Sequence, residues 1–368
     1  MNQLPINYSA ILGKLSYGIV GLNFLKQLDA LGLKVCLFPI GIEPEIYQEN
    51  QDLINRCLQN ADSYSRHATS LRIQQQYDLA THVGKGRHIS FPIFELNRFT
   101  QRELIHLRSQ DKLVVCSDWA KQILLENNIL NDIDIHVVPL GVDRSIFYEN
   151  PPNFFRNEPR RTRFINVSKW EIRKGHYELL DYFESAFTPD DDVELIMVTG
   201  SVILEQRMPQ EVEKWKRMYA ASPMAHKIKI VDWLPTQKAV ADLLRLSDCY
   251  ISLSKAEGFG LGALEAMSCG LEVIITECTA HKQFITNDNS YQVSVGDLEL
   301  ALDNVFFNGQ SGGQWHSLND QTKANCVDWM KWVHDRKQNG SNLLNTYGIE
   351  TAKQFSWENA VRKLVEIL

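Results

Sequence analysis

The sequence predicts an α/β protein made of two Rossmann-like, doubly wound domains that face each other across a cleft. Three observations carry this. Short apolar runs alternate with stretches of helical periodicity along the chain, the pattern of α/β units with parallel strands. At 368 residues the chain is longer than one ordinary core organises, so two domains are expected. The composition also shifts near the middle, at Glu149-Asn150-Pro151-Pro152-Asn153 and the basic, polar residues 156–163. That shift reads as an interdomain linker. The expected division is residues 1–150, residues 160–350, and a terminal helix at 351–368 packing back on the first domain.

The elements follow in order. Residues 6–12 read as a strand, residues 13–18 as a Gly-containing loop and residues 19–31 as a helix. Residues 33–39 form the next strand, residues 45–60 a helix, and residues 70–75 and 87–94 extended segments. Thr100 with Glu103 has the spacing of a capping box and starts a helix over 100–109. A strand at 112–116, a helix at 117–127 capped by Ser117 and a strand at 135–138 complete the first series. The second series runs strand 163–167, helix 176–186, strand 193–199, helix 209–219, strand 228–231, helix 236–246 and strands 249–253 and 272–276. Residues 308–313 read as a loop. Ser356 caps a final amphipathic helix with Val361, Leu364, Val365 and Leu368 on one face.

Composition excludes several classes. A hydrophobic fraction of 44% and a charged fraction of 23% are those of a globular protein. A net charge of -7 with no long run of either sign argues against a dedicated nucleic-acid binder. No apolar stretch approaches the ~20 residues that span a bilayer. The start, Met-Asn-Gln-Leu-Pro, lacks the regions of a signal peptide, so a cytoplasmic location is expected. The seven cysteines show no metal or disulfide spacing and read as buried thiols. The histidines do not cluster with them, and no metal site is expected.

The densest chemistry lies in Glu257-Gly258-Phe259-Gly260-Leu261-Gly262-Ala263-Leu264-Glu265. Glycines admit close approach of the backbone to a ligand, and a Gly-rich turn opening a helix presents free N–H groups to a phosphate. Two glutamates would repel a bare phosphate, so they point to neutral hydroxyl groups. Phosphate and hydroxyls at one site suggest a sugar nucleotide. A second segment, Ser168-Lys169-Trp170-Glu171-Ile172-Arg173-Lys174-Gly175, follows the first strand of the second half. Its cations sit where ligands bind in an open α/β sheet and would neutralise a diphosphate.

Together these segments resemble the family 4 retaining glycosyltransferases of the GT-B fold. Glu257 and Glu265 match the paired-glutamate motif, Lys174-Gly175 match the Lys-Gly pair, and Lys169 stands where the family usually has arginine. Pro139-Leu140-Gly141-Val142-Asp143 with Phe147, Ser117-Asp118-Trp119-Ala120-Lys121 and the loop from Gly13 to Gly18 are similar to family stretches of the first domain. The resemblance implies transfer of a hexose from a nucleotide diphosphate sugar, a UDP- or GDP-sugar, without a metal or other cofactor. In the implied scheme Glu257 contacts the donor sugar and Glu265 the ribose. Lys169, Lys174 and the amides of Gly258, Phe259, Gly260 and Leu261 hold the leaving diphosphate. Gly18 and Trp233 would border the donor, Trp233 beside the nucleobase.

Two positions depart from the family: Gly262 and Glu272 stand where proline is common. On the acceptor side, Glu95 and His82 are the candidates for orienting the hydroxyl. A glycan, a lipid-linked sugar or a protein would serve as acceptor. Arg98-Phe99-Thr100-Gln101-Arg102 and Arg108 offer a weak peripheral membrane contact, with a solvated helix face as the plain alternative. A GT-B sugar-nucleotide epimerase and a catalytically silent sugar-nucleotide-binding protein are the competing readings.

Overall fold

The computed structural model describes residues 5–129, 133–150, 161–200, 202–303 and 305–368. Much of the expected linker, residues 151–160, lies outside the described residues. The chain divides into two compact units, Met1–Gly141 with Phe355–Leu368, and Val142–Gln354.

The first unit contains β1 (Ile6–Leu12), α1 (Tyr17–Ala30), β2 (Val35–Leu37), β3 (Gly41–Ile42), α2 (Pro44–Glu49) and α3 (Gln51–Ala61). It continues with β4 (Ser70–Ile73), β5 (His88–Phe91), α4 (Gln101–Arg108), β6 (Lys112–Val115), α5 (Asp118–Glu126) and β7 (Asp134–Val137). The strands form a parallel sheet in the order β2-β1-β4-β5-β6-β7, with β3 also on β1. Strands of a parallel sheet are covered on both faces and so read as continuous apolar runs. β6 follows that rule with Leu113, Val114 and Val115 all buried. The capping box of α4 forms, with Thr100 Oγ1 accepting from Glu103 N at 3.3 Å and Glu103 Oε2 accepting from Thr100 N at 2.6 Å. The helix expected over 45–60 breaks at Asn50, whose side chain donates to Ile46 O at 2.9 Å. A local side-chain bond of this kind competes with helix continuation.

The second unit contains β8 (Thr162–Val167), α6 (His176–Ala186), β9 (Val193–Val198), α7 (Val202–Arg207), α8 (Pro209–Ala220), β10 (Ile228–Val231) and α9 (Gln237–Arg245). It continues with β11 (Cys249–Ser252), α10 (Leu261–Ser268), β12 (Glu272–Thr276), β13 (Tyr291–Val293), the hairpin β14 (Leu298–Leu300) and β15 (Gln314–His316), α11 (Asp320–Gln338) and α12 (Thr346–Gln354). The last helix, α13 (Trp357–Val365), belongs to the first unit. The parallel sheet runs β10-β9-β8-β11-β12-β13. Strand order therefore reverses between β8 and β11, and the loops leaving their carboxyl ends diverge to leave a crevice. Those loops carry Ser168–Gly175 and the start of Glu257–Glu265, the two segments the sequence singled out.

The division falls after Gly141 rather than at 150. Residues following Gly141 are tied to the second unit: Ser268 Oγ donates to Phe147 O at 2.6 Å and Arg245 Nη1 to Ile146 O at 3.1 Å. The other boundary falls after Gln354, not at 350, because α12 packs on α10 within the second unit. α13 packs on α1, with Phe24 and Trp357 rings 5.9 Å apart. Lys112 Nζ donates to Ile367 O at 3.0 Å in the same region. Phe99 is buried beside Phe94 at 4.9 Å, so the basic segment around Arg98 does not offer this ring to a membrane. Among the described residues no helix is long and apolar enough to cross a bilayer.

Candidate active site

The β11–α10 loop is shaped by glycine. Gly260 holds φ at +98° as the N-cap of α10, a conformation side-chain-bearing residues rarely adopt. A Cβ there would lie 2.6 Å from His281 Cδ2. Gly262, where the family favours proline, faces Tyr250, whose Oη would be 2.8 Å from an added Cβ. Phe259 is buried against Phe284 at 5.4 Å and anchors the loop. The other departure also has a physical reason. Glu272 N donates to Asp248 O at 3.1 Å, a bond proline cannot make, and its carboxylate accepts from Arg336 Nη1 at 2.8 Å.

Glu257 stands at the centre. Its Oε1 accepts from Lys174 Nζ and, at 2.6 Å, from Ser254 Oγ. Its Oε2 lies 3.3 Å from Arg173 Nη1. Thr279 clamps its backbone, accepting from Glu257 N at 2.8 Å and donating to Glu257 O at 2.9 Å. Thr279 holds φ at +41° to do so, a strained conformation of the sort that gathers at functional sites. Burial alone would raise the Glu257 pKa. Lys174 and Arg173 outweigh it and hold the carboxyl well below the usual range.

Glu265 presents the opposite case. Its side chain has no hydrogen bond or ion pair among the described residues, and burial pushes its carboxyl up to about 7. Both glutamates neighbour Tyr250, whose phenol is raised by burial, then by the charges of Glu257 and Glu265. Lys169 is half-buried and its ammonium has no ion pair among the described residues. Its carbonyl is fixed instead, accepting from His176 Nε2 at 2.6 Å. The loops thus bring together one neutralised carboxylate, one unpartnered carboxylate, one shared lysine and one unpaired lysine. The helix N-terminus of α10 opens beside them.

Other candidates fall elsewhere. Trp233, just beyond β10 at the edge of the sheet, covers Gly200: a Cβ there would lie 2.5 Å from the indole Nε1. Gly18 and Glu95 belong to the first unit, beyond the carboxyl ends of β1 and β5. Gly18 is packed on Gly13, with only 2.5 Å from an added Cβ to Gly13 Cα. Tyr17 Oη accepts from Ile93 N at 2.8 Å and pins the segment that leads to Glu95. His82 sits at the amino ends of β4, β5 and β6, away from the carboxyl ends where ligands bind. Its Nδ1 meets Ser70 Oγ at 2.9 Å, its Nε2 meets Gln110 Oε1 at 2.8 Å, and its ring stacks on His88 at 4.4 Å. That is the environment of a framework histidine.

Burial lowers His82 to about 4, and also His176, which is fully enclosed by Trp170 and its neighbours. Both pKa values are depressed below the ordinary histidine value of about 6.5. The stability they support is therefore present above pH ~6.5 and lost as pH falls towards 4. Urea unfolding is expected to show a falling midpoint across that window. A midpoint constant from pH 7 to pH 4 would contradict it.

Sequence reasoning counted Arg173 only as one cation of a cluster and missed Ser254, Thr279 and His281. Arg173 precedes the Lys174-Gly175 pair, which was its one signal. The roles of Ser254 and Thr279 depend on contacts made across the fold, and nothing local announces them.

Comparison with known proteins bears on this arrangement. The structure superposes on sucrose-phosphate synthase from Thermosynechococcus elongatus with a TM-score of 0.71 at 14% identity, covering 99% of this chain and 98% of that one. The architecture is therefore the two-domain, Rossmann-like GT-B fold of glycosyltransferases. Residues 150–301 match the family model for glycosyl transferases group 1. The chain is 23% identical over 190 residues to mannosylfructose-phosphate synthase of Agrobacterium fabrum, covering 50% of this chain and 41% of that protein. It is 26% identical over 148 residues to GDP-mannose:cellobiosyl-diphosphopolyprenol alpha-mannosyltransferase of Xanthomonas campestris, covering 40% and 37%. The aligned stretches span less than half of either relative. The fold is thus that of GT-B proteins, and the stretch matching the glycosyl transferases group 1 model lies within the second unit.

Proposed function

We propose that this protein is a retaining glycosyltransferase that moves a hexose from a nucleoside-diphosphate sugar to an acceptor hydroxyl. The observation that carries this reading is the pairing of Lys174 with Glu257 at the crevice between β8 and β11. A cation for the leaving group and a carboxylate for sugar hydroxyls stand side by side there. Lys169, Lys174 and the amides opening α10 would stabilise the charge that develops on the leaving diphosphate as its bond to the sugar breaks. The acceptor oxygen would form its bond to the same face of the sugar carbon, passing its proton to the departing phosphate oxygen. The Glu265 carboxylate would accept the ribose hydroxyls, and Trp233 would border the base. Gly18 would border the donor from the first unit, and Glu95 is the acceptor-side candidate. The relatives support a nucleotide-sugar donor and an acceptor that is a glycan or a lipid-linked sugar.

Transfer from a panel of uridine, guanosine and adenosine diphosphate sugars tests the reading, with the product anomer assigned by NMR. Retained configuration, together with loss of transfer in Glu257→Ala, is expected. Inverted product, or wild-type turnover in Glu257→Ala, would contradict it. Donor incubated alone should yield no epimer.

The raised carboxyl of Glu265 gives a pH signature. Ribose hydroxyls bind the ionised form, so donor affinity is expected to fall as pH drops below about 7. The limit is about tenfold per pH unit. Glu265→Gln should bind weakly with a flat profile. Calorimetric titration from pH 8 to pH 5.5 measures this, and a flat wild-type profile would overturn the role.

A further inference from the structure

The two cations on Glu257 differ in freedom. The Arg173 side chain is 6% exposed and locked on several sides. Nη2 donates to Glu171 Oε2 at 2.9 Å, Nη1 donates to Ala256 O at 2.6 Å, and the Phe307 ring lies 6.0 Å from the guanidinium carbon. Lys174, more open at 15%, makes a single ion pair among the described residues, through a flexible stem. A diphosphate entering the crevice would compete with Glu257 for the Lys174 ammonium. A buried carboxylate stripped of its cation is strongly disfavoured.

We propose that Arg173 is a positioning residue: it keeps Glu257 oriented and charged while Lys174 is drawn onto the leaving diphosphate. This rests on the glycosyltransferase reading above. Arg173 can serve both states because it holds Oε2, the oxygen that Lys174 and Ser254 leave alone. Its planar fork, fixed at the same time by Glu171 and the Ala256 carbonyl, cannot follow the diphosphate. The other titratable groups near Glu257 supply no replacement charge. His281, on the turn after β12, is driven towards the neutral form by burial. Cys278 beside it is pushed up to about 11 by burial, and burial also raises Tyr250 on β11, so both stay protonated and neutral.

The test is the pH dependence of kcat and kcat/KM for the donor in the full chain. Arg173→Gln is expected to move the acid limb of kcat upward by about one pH unit or more and to lower kcat more than it changes KM. Arg173→Lys keeps the charge and loses the fork. It should hold the wild-type limb while losing about tenfold in kcat. An unmoved limb in Arg173→Gln, or full wild-type kcat in Arg173→Lys, overturns the proposal. The lysine variant decides the matter if the glutamine variant fails to fold. A wild-type protein that transfers no sugar would overturn the glycosyltransferase reading instead.

Discussion

Lys174→Ala is expected to lower sugar-transfer turnover by roughly 100- to 1000-fold, about 3–4 kcal/mol of transition-state stabilisation. The ammonium has two partners in the reaction's course. In the free protein it neutralises Glu257, and in the transition state it would face the diphosphate oxygen on which charge develops. Removing it leaves Glu257 with Arg173 and Ser254, so the fold should survive while the leaving group loses its nearest cation. The loss should therefore appear in kcat rather than in donor KM alone. Lys169→Ala should cost less, because that ammonium has no ion pair among the described residues and its removal strands no partner there. Steady-state kinetics on both variants checks the order. A Lys174→Ala enzyme within threefold of wild type would contradict the assignment.

Gly260→Ala is expected to cost both stability and donor affinity. The residue sits at φ +98° and an added Cβ would meet the His281 ring at 2.6 Å. The left-handed conformation costs about 1–2 kcal/mol for a residue with a side chain, and forced overlap in a packed region about 1–3 more. His281 cannot yield freely, because its Nδ1 is held by Thr276 O at 2.9 Å. The α10 amides would shift with the loop, so donor affinity should fall along with stability. Gly312 supplies the control: it has φ +66° with nothing within 4 Å of an added Cβ. Gly312→Ala should show the conformational cost without the collision. Thermal unfolding with and without donor separates the two, and equal melting temperatures in the two variants would contradict the account.

The legible parts of this protein were those whose causes are local. Thr100, Ser117 and Ser356 cap their helices through side chains within three residues, and the chain alone announces such contacts. The buried parallel strands carry apolar runs that need no partner to be recognised. The β14–β15 hairpin was hidden for the opposite reason. Leu298, Leu300 and Leu302 are exposed, and the hairpin is held by Lys255 Nζ at 3.0 Å from Glu299 Oε1 and by Trp315 Nε1 donating to the same oxygen at 2.8 Å. A polar tether between segments far apart in sequence leaves no periodic trace.

The candidate site divides along the same line. Glu257, Glu265, Lys169 and Lys174 were legible because glycines, a helix start and cations lie in short segments. Arg173 was not separable from Lys174, since only the fold gives one a buried fork and the other a flexible stem. Thr279 was invisible, because its left-handed backbone is imposed by the clamp on Glu257. His82 misled because it lies midway along the connection from β4 to β5, where chain order alone does not say which end of the sheet a residue reaches. The acceptor side has no dense motif of its own, and Glu95 is proposed there on its place beyond β5 alone.

The central claim is that the crevice between β8 and β11 holds the donor diphosphate. A structure of the protein with a nucleoside-diphosphate sugar tests it most directly. The account predicts phosphate oxygens within hydrogen-bonding reach of Lys174 and the α10 amides, Glu265 on the ribose and Glu257 on the hexose. A diphosphate bound elsewhere, with the Lys174–Glu257 pair undisturbed and Glu265 still without a partner, would contradict it.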